Sequence, residues 1–361
     1  MRLRHLVARG FRNLADLECE PGAEGVALLG ANAQGKTNLL EAIYYPVLFR
    51  SVRGAADQDV VRFGGSGFHV EVGLTGGKVE TVGATYLAAG RRKRIVMDGE
   101  DSVRVTDTVG SWLAVAFLPS DVGLASGPAA ARRQYLDRLL SLADRRYLRA
   151  LTRYRAALAQ RNSALRQGRF DVAHAFDAPL AESGAEVVRT RERWAAGAAE
   201  QFAAEFDCLG EPGAARLCYQ SGPGLSDAGA WPAVLEASRA HDRARGMTTV
   251  GPHRDDLVLD IGERSLREYG STGQQRSAAI ALKLIEIATL RQAHTTEPAL
   301  LLDDVFAELD GERQTRLARR LLGAGERQVF LTAPRSDELP PEVGLPRWKI
   351  REGKVEKGSG K

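Results

Sequence analysis

The segment Gly30-Ala31-Asn32-Ala33-Gln34-Gly35-Lys36-Thr37 constrains this chain more than any other: two glycines bracket four residues, and Lys and Thr follow at once. Its flanks agree with it. Val26-Ala27-Leu28-Leu29 is a short apolar run of the kind that forms a buried strand, and Asn38 to Ile43 continues as a helix. Strand, glycine loop and helix in that order aim successive backbone N–H groups and the positive end of a helix at one point, which suits a polyphosphate. The pattern therefore predicts an ATP site over Gly30 to Asn38, with Lys36 on the β- and γ-phosphates and the Thr37 hydroxyl on Mg²⁺. In an empty loop the Lys36 side chain is expected to face solvent. A chance glycine-rich turn is the competing reading, and the flanking elements weigh against it.

Such a loop needs a carboxylate at the end of a buried strand. Ala299-Leu300-Leu301-Leu302-Asp303-Asp304 supplies one, an apolar run that ends in two acids. Asp303 is expected to hold the metal, and Asp304 to orient or deprotonate the attacking water. A solvated pair of strand-end acids is the plainer alternative. Because 267 positions separate Lys36 from Asp303, a large insertion is expected between the two halves of the site.

The middle of the chain fits that insertion. From Ala129 to Gln167 there is no Pro or Gly, and Leu136, Leu140, Ala143, Tyr147, Leu151, Tyr154, Leu158 and Leu165 form an apolar stripe, predicting one long amphipathic helix. A second helix is expected after Pro179, with Leu180, Val187, Trp194, Ala198, Phe202 and Phe206 along its face. Together they read as a short antiparallel arm. The first helix carries Arg132, Arg133, Arg138, Arg145, Arg146, Arg149, Arg153, Arg155 and Arg161, with Arg166 and Arg169 at its end, opposed within it only by Asp137 and Asp144. Against a whole-chain charge of +4, that concentration favours nucleic-acid phosphates. Arg132, Arg133, Arg145, Arg146, Arg149 and Arg153 are the expected DNA contacts. Partner acids such as Glu182, Glu186 and Glu192 offer the alternative of a neutralised helix face. The run Arg91-Arg92-Lys93-Arg94 is expected at a solvated hairpin tip, and the tail from Arg351 is expected to be disordered.

Composition narrows the setting. With 44% hydrophobic and 27% charged residues the chain has the mix of a globular protein. No apolar run nears the roughly 20 residues that span a bilayer, and the N-terminal stretch lacks the apolar core of a secretory signal. Cys19, Cys208 and Cys218 have no metal-type spacing. A reduced, cytoplasmic protein with no membrane partner is expected. Only eight of the 50 basic side chains are lysine; arginine suits bidentate phosphate contacts, although a GC-rich genome has the same effect.

A third segment completes the set. Ser271-Thr272-Gly273-Gln274-Gln275-Arg276 precedes a helix expected over Ser277 to Gln292. Serine and glycine at a helix start make another anion-binding terminus. Two such termini serve one γ-phosphate only if the second closes over it from another copy, so Ser271, Gly273 and Gln274 are expected to act in trans in a head-to-tail dimer, with Glu308-Leu309-Asp310 along its seam. Alone, the segment is merely a capped helix.

With these pieces in place, the chain resembles the RecF family of recombination mediators, relatives of SMC-type and ABC ATPases. The resemblance rests on FRNL (11–14), GANAQGKTNLLEAI (30–43), RRQYLD (132–137), GPHRDDL (251–257), STGQQR (271–276) and LLLDDVFAELD (300–310). It implies an α/β fold, a two-lobed ABC/SMC-type P-loop ATPase head with a short antiparallel helical arm inserted. The expected division is 1–120 for the N-terminal part of the head, 121–247 for the arm and second lobe, and 248–361 for the C-terminal part of the head. It further implies ATP-driven homodimerisation, slow DNA-stimulated ATP hydrolysis, and binding to double-stranded DNA or single–double-strand junctions in the nucleoid. Cooperation with RecR and RecO in loading RecA follows from the resemblance alone. His253 and Arg254 match the family's pattern without an assigned role, and Arg53 resembles an arginine that SMC-type heads place near nucleotide and DNA.

The chain also departs from related ATPases. Transporter-type ABC proteins usually carry Glu where Asp304 stands; no glutamine loop is evident; and Thr332 in Phe330-Leu331-Thr332-Ala333-Pro334 is the nearest polar candidate for the switch histidine. A cytoplasmic transporter ATPase subunit is the alternative function, with a small-molecule kinase behind it. The first needs a coupling surface and usually the switch histidine and glutamine loop, and the second normally lacks a signature helix and carries its own acceptor pocket.

Overall fold

A computed structural model of the chain describes residues 1–101, 105–211, 213–307, 311–323 and 327–357. The expected seam residues Glu308, Leu309 and Asp310 lie outside them. The described chain divides into two compact units: Met1–Asp121 with Glu286–Lys361, and Val122–Ile285. The stretch 248–361 expected as one piece of the head is thus shared, with 248–285 in the second unit. The cause is strand pairing, since Asp256–Ile261 is antiparallel to Ala215–Gln220.

The first unit holds two six-stranded sheets. One is antiparallel and is built around Arg2–Arg9, Gly67–Thr75, Thr81–Leu87 and Arg92–Met97. The other carries the site. Its strands follow the order Lys354–Lys357, Arg347–Arg351, Gly25–Leu29, Val329–Ala333, Ala299–Leu302 and Ala114–Phe117, all parallel except the first pair. Ala299–Leu302, Val329–Ala333 and Ala114–Phe117 are buried at every residue, as the central strands of a covered parallel sheet must be. The acid-bearing strand and the loop-bearing strand are not neighbours; Val329–Ala333 lies between them.

Two features of this unit correct the sequence reading. The tail from Arg351 is ordered through Lys357: Lys354–Lys357 pairs with Arg347–Arg351 across a turn at Glu352-Gly353. Of the run expected at a solvated hairpin tip, all four residues are exposed and Arg91 lies in the turn between Thr81–Leu87 and Arg92–Met97, but Arg92, Lys93 and Arg94 belong to the strand, where Lys93 donates to Phe49 O (2.6 Å) and pairs with Asp57 (2.6 Å).

In the second unit the helices Arg145–Arg166 and Asp177–Cys208 form the expected pair. Tyr154, Ala157, Leu180, Ala185 and Val188 pack with Trp231 and Leu235 from the helix Trp231–Arg245. A Cβ on Gly184 would lie 2.4 Å from the Trp231 ring, so only glycine permits this approach. The single helix expected over 129–167 is instead two, Ala129–Ala143 and Arg145–Arg166. Asp144 separates them: it takes an extended conformation (φ −139°, ψ 114°), and its carboxylate accepts the Arg146 N–H at 2.7 Å, an N-cap that outcompetes helix continuation.

The basic stretch is also less uniform than its sequence. Arg161 is buried, donating to Asp177 (2.8 Å), Asp242 (2.7 Å) and Thr248 Oγ1 (2.8 Å). Arg132 is buried in a two-point pair with Asp256 (2.8 and 2.7 Å), and half-buried Arg133 donates to Asp255 O. The sequence places both on DNA; Arg132 is committed to the interior instead. Arg145, Arg146, Arg149 and Arg153 are exposed on the helix Arg145–Arg166. Replacing Arg161 by Ala leaves Asp242 buried without its cation and should cost about 3–5 kcal/mol in urea denaturation. Arg149→Ala, at an exposed position, should stay within about 0.5 kcal/mol.

Candidate nucleotide-binding site

Gly25–Leu29 delivers the chain into the glycine loop, and the helix Lys36–Leu48 leaves it. Ala33 (φ +64°) and Gly35 (φ +110°) turn the backbone through the left-handed region. A Cβ on Gly30 would lie 2.3 Å from Ile350 O, so the first glycine is required by a neighbouring strand. Lys36 is 5% exposed, its ammonium donating to Gly30 O (2.7 Å) and Ala31 O (3.2 Å). The expectation of a solvent-facing Lys36 is therefore corrected: it folds over the loop's own carbonyls.

Sheet order brings the distant acids to the loop. Thr37 Oγ1 lies 2.9 Å from both carboxylate oxygens of Asp303. Thr332, on the strand between them, has its hydroxyl 2.9 Å from Asp303 Oδ1 and 3.2 Å from Asp304 Oδ1, and accepts the Asp304 N–H at 3.0 Å. Asp304 itself is left-handed (φ +48°), a conformation Asp tolerates better than most residues. Burial pushes the Asp303 carboxyl above its usual range and the adjacent Asp304 charge adds to this, while hydrogen bonds from Thr37 and Thr332 oppose it. A hydroxyl and a buried carboxylate side by side fit Mg²⁺, which takes one or two protein oxygens and completes its shell with water and phosphate.

Residues around the loop support it, and for Arg12, Asn13, Glu41 and Ser51 sequence reasoning had given no role. Glu41 on the loop's helix is buried and accepts from Arg12 of FRNL (3.0 and 3.0 Å), from Arg53 and from Ser51. Burial disfavours its charge, but these bonds outweigh that and hold its pKa below the usual range. Arg53 also donates to Asn38 Oδ1 at 2.6 Å, which places it beside the loop as the family resemblance implies. Asn13 Nδ2 donates to Ala33 O (3.2 Å), and Asn38 Nδ2 to Asn13 Oδ1 (2.6 Å). The least legible contact comes from the C-terminal turn: Glu352 N donates to Gln34 Oε1 (2.8 Å) and Gly353 N to Gln34 O (2.9 Å). The only sequence signal for it was the Glu-Gly pair between two basic, strand-compatible runs.

Ser271, Gly273 and Gln274 stand at the start of the helix Thr272–His294, in the second unit up to residue 285. Ser271 N donates to Gln274 Oε1 (3.0 Å) and Gln274 N to Ser271 Oγ (3.2 Å), the reciprocal bonds of a capping box. Within one chain these residues cap their own helix. His253 is structural in its contacts: Nε2 donates to Thr248 O (3.0 Å), so Nδ1 accepts from the Tyr154 hydroxyl (2.6 Å), and burial pushes its pKa down to about 4.

The chain matches no family model. It is 37% identical to the DNA replication and repair protein RecF of Anaeromyxobacter dehalogenans (strain 2CP-1), over 98% of this chain and 99% of that protein. The chain belongs to the RecF family. Its counterpart in Roseiflexus castenholzii is 35% identical over 98% of this chain and 99% of that one. Among solved structures, the recombination mediator protein RecF with ATP, of the RecFOR pathway, has a TM-score of 0.87 at 29% identity and covers 99% of this chain and 97% of that one. An Smc head bound to the C-winged helix domain of ScpA shares the fold, with a TM-score of 0.57 at 15% identity over 99% of this chain and 96% of that one. This family member therefore has the ABC/SMC-type ATPase fold of a DNA repair protein. Among the described residues no helix is long and apolar enough to cross a membrane.

The C-terminal turn yields a direct prediction. Gly353 has φ +75°, and a Cβ there would lie 2.0 Å from Asn13 O and 2.9 Å from Ala15 N. Gly353→Ala should strain or displace the turn by about 1–3 kcal/mol and weaken ATP binding measured by calorimetry. Gly344→Ala, where nothing lies within 4 Å of the added carbon, should leave binding unchanged.

Proposed function

We propose that this chain is an ATP-gated DNA clamp of recombinational repair. The observation that carries it is the cluster of Thr37, Asp303, Thr332 and Asp304 at the ends of the parallel strands of one sheet, linked by hydrogen bonds of 2.9 to 3.2 Å beside the glycine loop, in a chain similar to a solved RecF with ATP.

In this reading the loop N–H groups and Lys36 bind the phosphates, with Lys36 exchanging its bonds to Gly30 O and Ala31 O for phosphate oxygens. Thr37 and Asp303 hold Mg²⁺, which neutralises charge building up on the phosphates. Asp304 orients the attacking water, and Thr332 fixes both acids where a transporter-type ATPase has its switch histidine. Asp304 is one methylene shorter than the glutamate of those ATPases, so it holds water less closely and hydrolysis is slow. Two copies join head to tail, and Ser271, Gly273 and Gln274 of each exchange their capping bonds for the partner's γ-phosphate. The closed form grips duplex DNA or a single–double-strand junction through Arg145, Arg146, Arg149 and Arg153, and hydrolysis releases it. RecR and RecO, whose pathway is that of the solved relatives, are the proposed partners in loading RecA.

Sedimentation with and without ATP and Mg²⁺ tests the gate. The wild type should dimerise only with both. Lys36→Ala should stay monomeric because ATP binding fails, whereas Ser271→Arg should bind ATP and stay monomeric; a Ser271→Arg dimer of wild-type strength contradicts the exchange in trans. A salt titration tests the DNA surface. The double variant Arg149→Ala and Arg153→Ala should lower the slope of log affinity against log salt by about 1 for each DNA phosphate that the variant no longer neutralises, and an unchanged slope moves the DNA elsewhere.

A further inference from the structure

Between the helices Arg145–Arg166 and Asp177–Cys208 runs an open groove of about 670 Å³. One wall is a row of arginines. Arg146, Arg149 and Arg153 share a helix face through their three-four spacing; they are exposed and have no side-chain partner among the described residues. The other helix contributes Glu182, also exposed and without a partner among the described residues, and Glu186, which pairs with Arg189 at 2.7 Å. Buried Ala150 and Ala157 and half-buried Phe176 form the floor. Ser183 is buried there too, but its hydroxyl is spent on Pro179 O, so the floor offers a ligand apolar surface.

Opposite charges on either side of an apolar floor restrict the occupant. A nucleic-acid strand gains from the arginine wall but meets like charge at Glu182 and Glu186, and its phosphates gain nothing from the alanines. A small metabolite would remain largely in solvent, since the groove is open and small-molecule sites enclose most of their ligand. An amphipathic helix laid along the groove meets all three surfaces at once. Its apolar stripe covers the floor. Carboxylates at its own three-four spacing run beside Arg146, Arg149 and Arg153, and a basic side chain on its other flank faces Glu182. From Arg146 to Gln160 the lining follows about 21 Å of helix, room for about four turns of a partner.

We propose that this groove is the docking site for one amphipathic helix of a partner protein, with acids along one flank and a base on the other. Docking here goes beyond the DNA reading and bears on it. Arg146, Arg149 and Arg153 cannot neutralise carboxylates and DNA phosphates at the same time, so a docked helix and a duplex held on the arm exclude each other. The partner thereby gains a means of displacing DNA from the arm without touching the nucleotide.

The test uses the full chain and a fluorescent synthetic peptide of about 18 residues, a helix of five turns. The peptide carries leucines on one face, a row of glutamates on one flank and a row of lysines on the other. Fluorescence anisotropy should show saturable binding. The double variant Arg149→Glu and Arg153→Glu should weaken it about ten-fold, and a peptide with lysines on both flanks should recover that loss. Glu182→Lys separates docking from general attraction of acids to a basic arm: docking predicts about five-fold weaker binding, general attraction predicts tighter binding. All three substitutions are at exposed positions, and circular dichroism melting controls for folding. No saturable binding to the wild type, or tighter binding to Glu182→Lys, overturns the docking site. If in addition a single-stranded oligonucleotide binds the wild type and is lost in the double variant, the groove belongs to nucleic acid. A short DNA duplex should compete with the peptide. Binding of both at once, with the peptide still weakened by Glu182→Lys, keeps the docking site and refutes the arm as the DNA surface.

Discussion

The site depends on the position of one strand. Val329–Ala333 lies between the strand that feeds the glycine loop and the strand that ends in Asp303, and this order sets the spacing at which Thr37 meets Asp303 at 2.9 Å across 266 positions of sequence. Thr332 on that middle strand then has little choice of partner: its hydroxyl faces both acids. All three strands are apolar and buried apart from the loop-side end of the first, so burial of apolar surface fixes the order and the polar groups at the strand ends follow. Two buried or half-buried acids beside one another are unfavourable alone. They are tolerated here because hydroxyls from the loop's helix (Thr37) and from the neighbouring strand (Thr332) lie within hydrogen-bond distance of them, and because the arrangement suits a dication.

The loop is held from outside as much as from within. Gly30 must be glycine because the Ile350 carbonyl approaches it, and Gly353 because the Asn13 carbonyl does. Arg12 and Arg53 converge on Glu41, one turn into the loop's helix. The FRNL stretch and Ser51 with Arg53 thereby act as braces for the glycine loop. Each brace ties the loop or its helix to a segment outside them.

Charge on the arm shows how far tertiary context sorts identical side chains. Eleven arginines in one stretch read alike, yet Arg132 and Arg161 are neutralised in the interior by Asp256, Asp242 and Asp177, and Arg155 pairs with Asp137. Arg145, Arg146, Arg149 and Arg153 are left to solvent. Most of the acids involved lie far along the chain, so a count of local charge overstated the surface potential.

Local order was what the sequence could settle. The strand-loop-helix over 26–43, the acid pair ending an apolar run, the capped helix at Ser271 and the paired helices of the arm each depend on residues within a few positions of one another, and propensity, periodicity and capping chemistry act over that range. The break at Asp144 was legible in principle, since Asp before a helical run is an N-cap signal, but the unbroken apolar stripe concealed it. Only tertiary structure decided which strand separates loop from acids, that Lys36 turns inward, that the C-terminal turn grips Gln34, and which arginines remain outside. Those outcomes depend on non-local pairing and burial, where many residues compete for the same partners, and no short stretch of chain contains both sides of the competition.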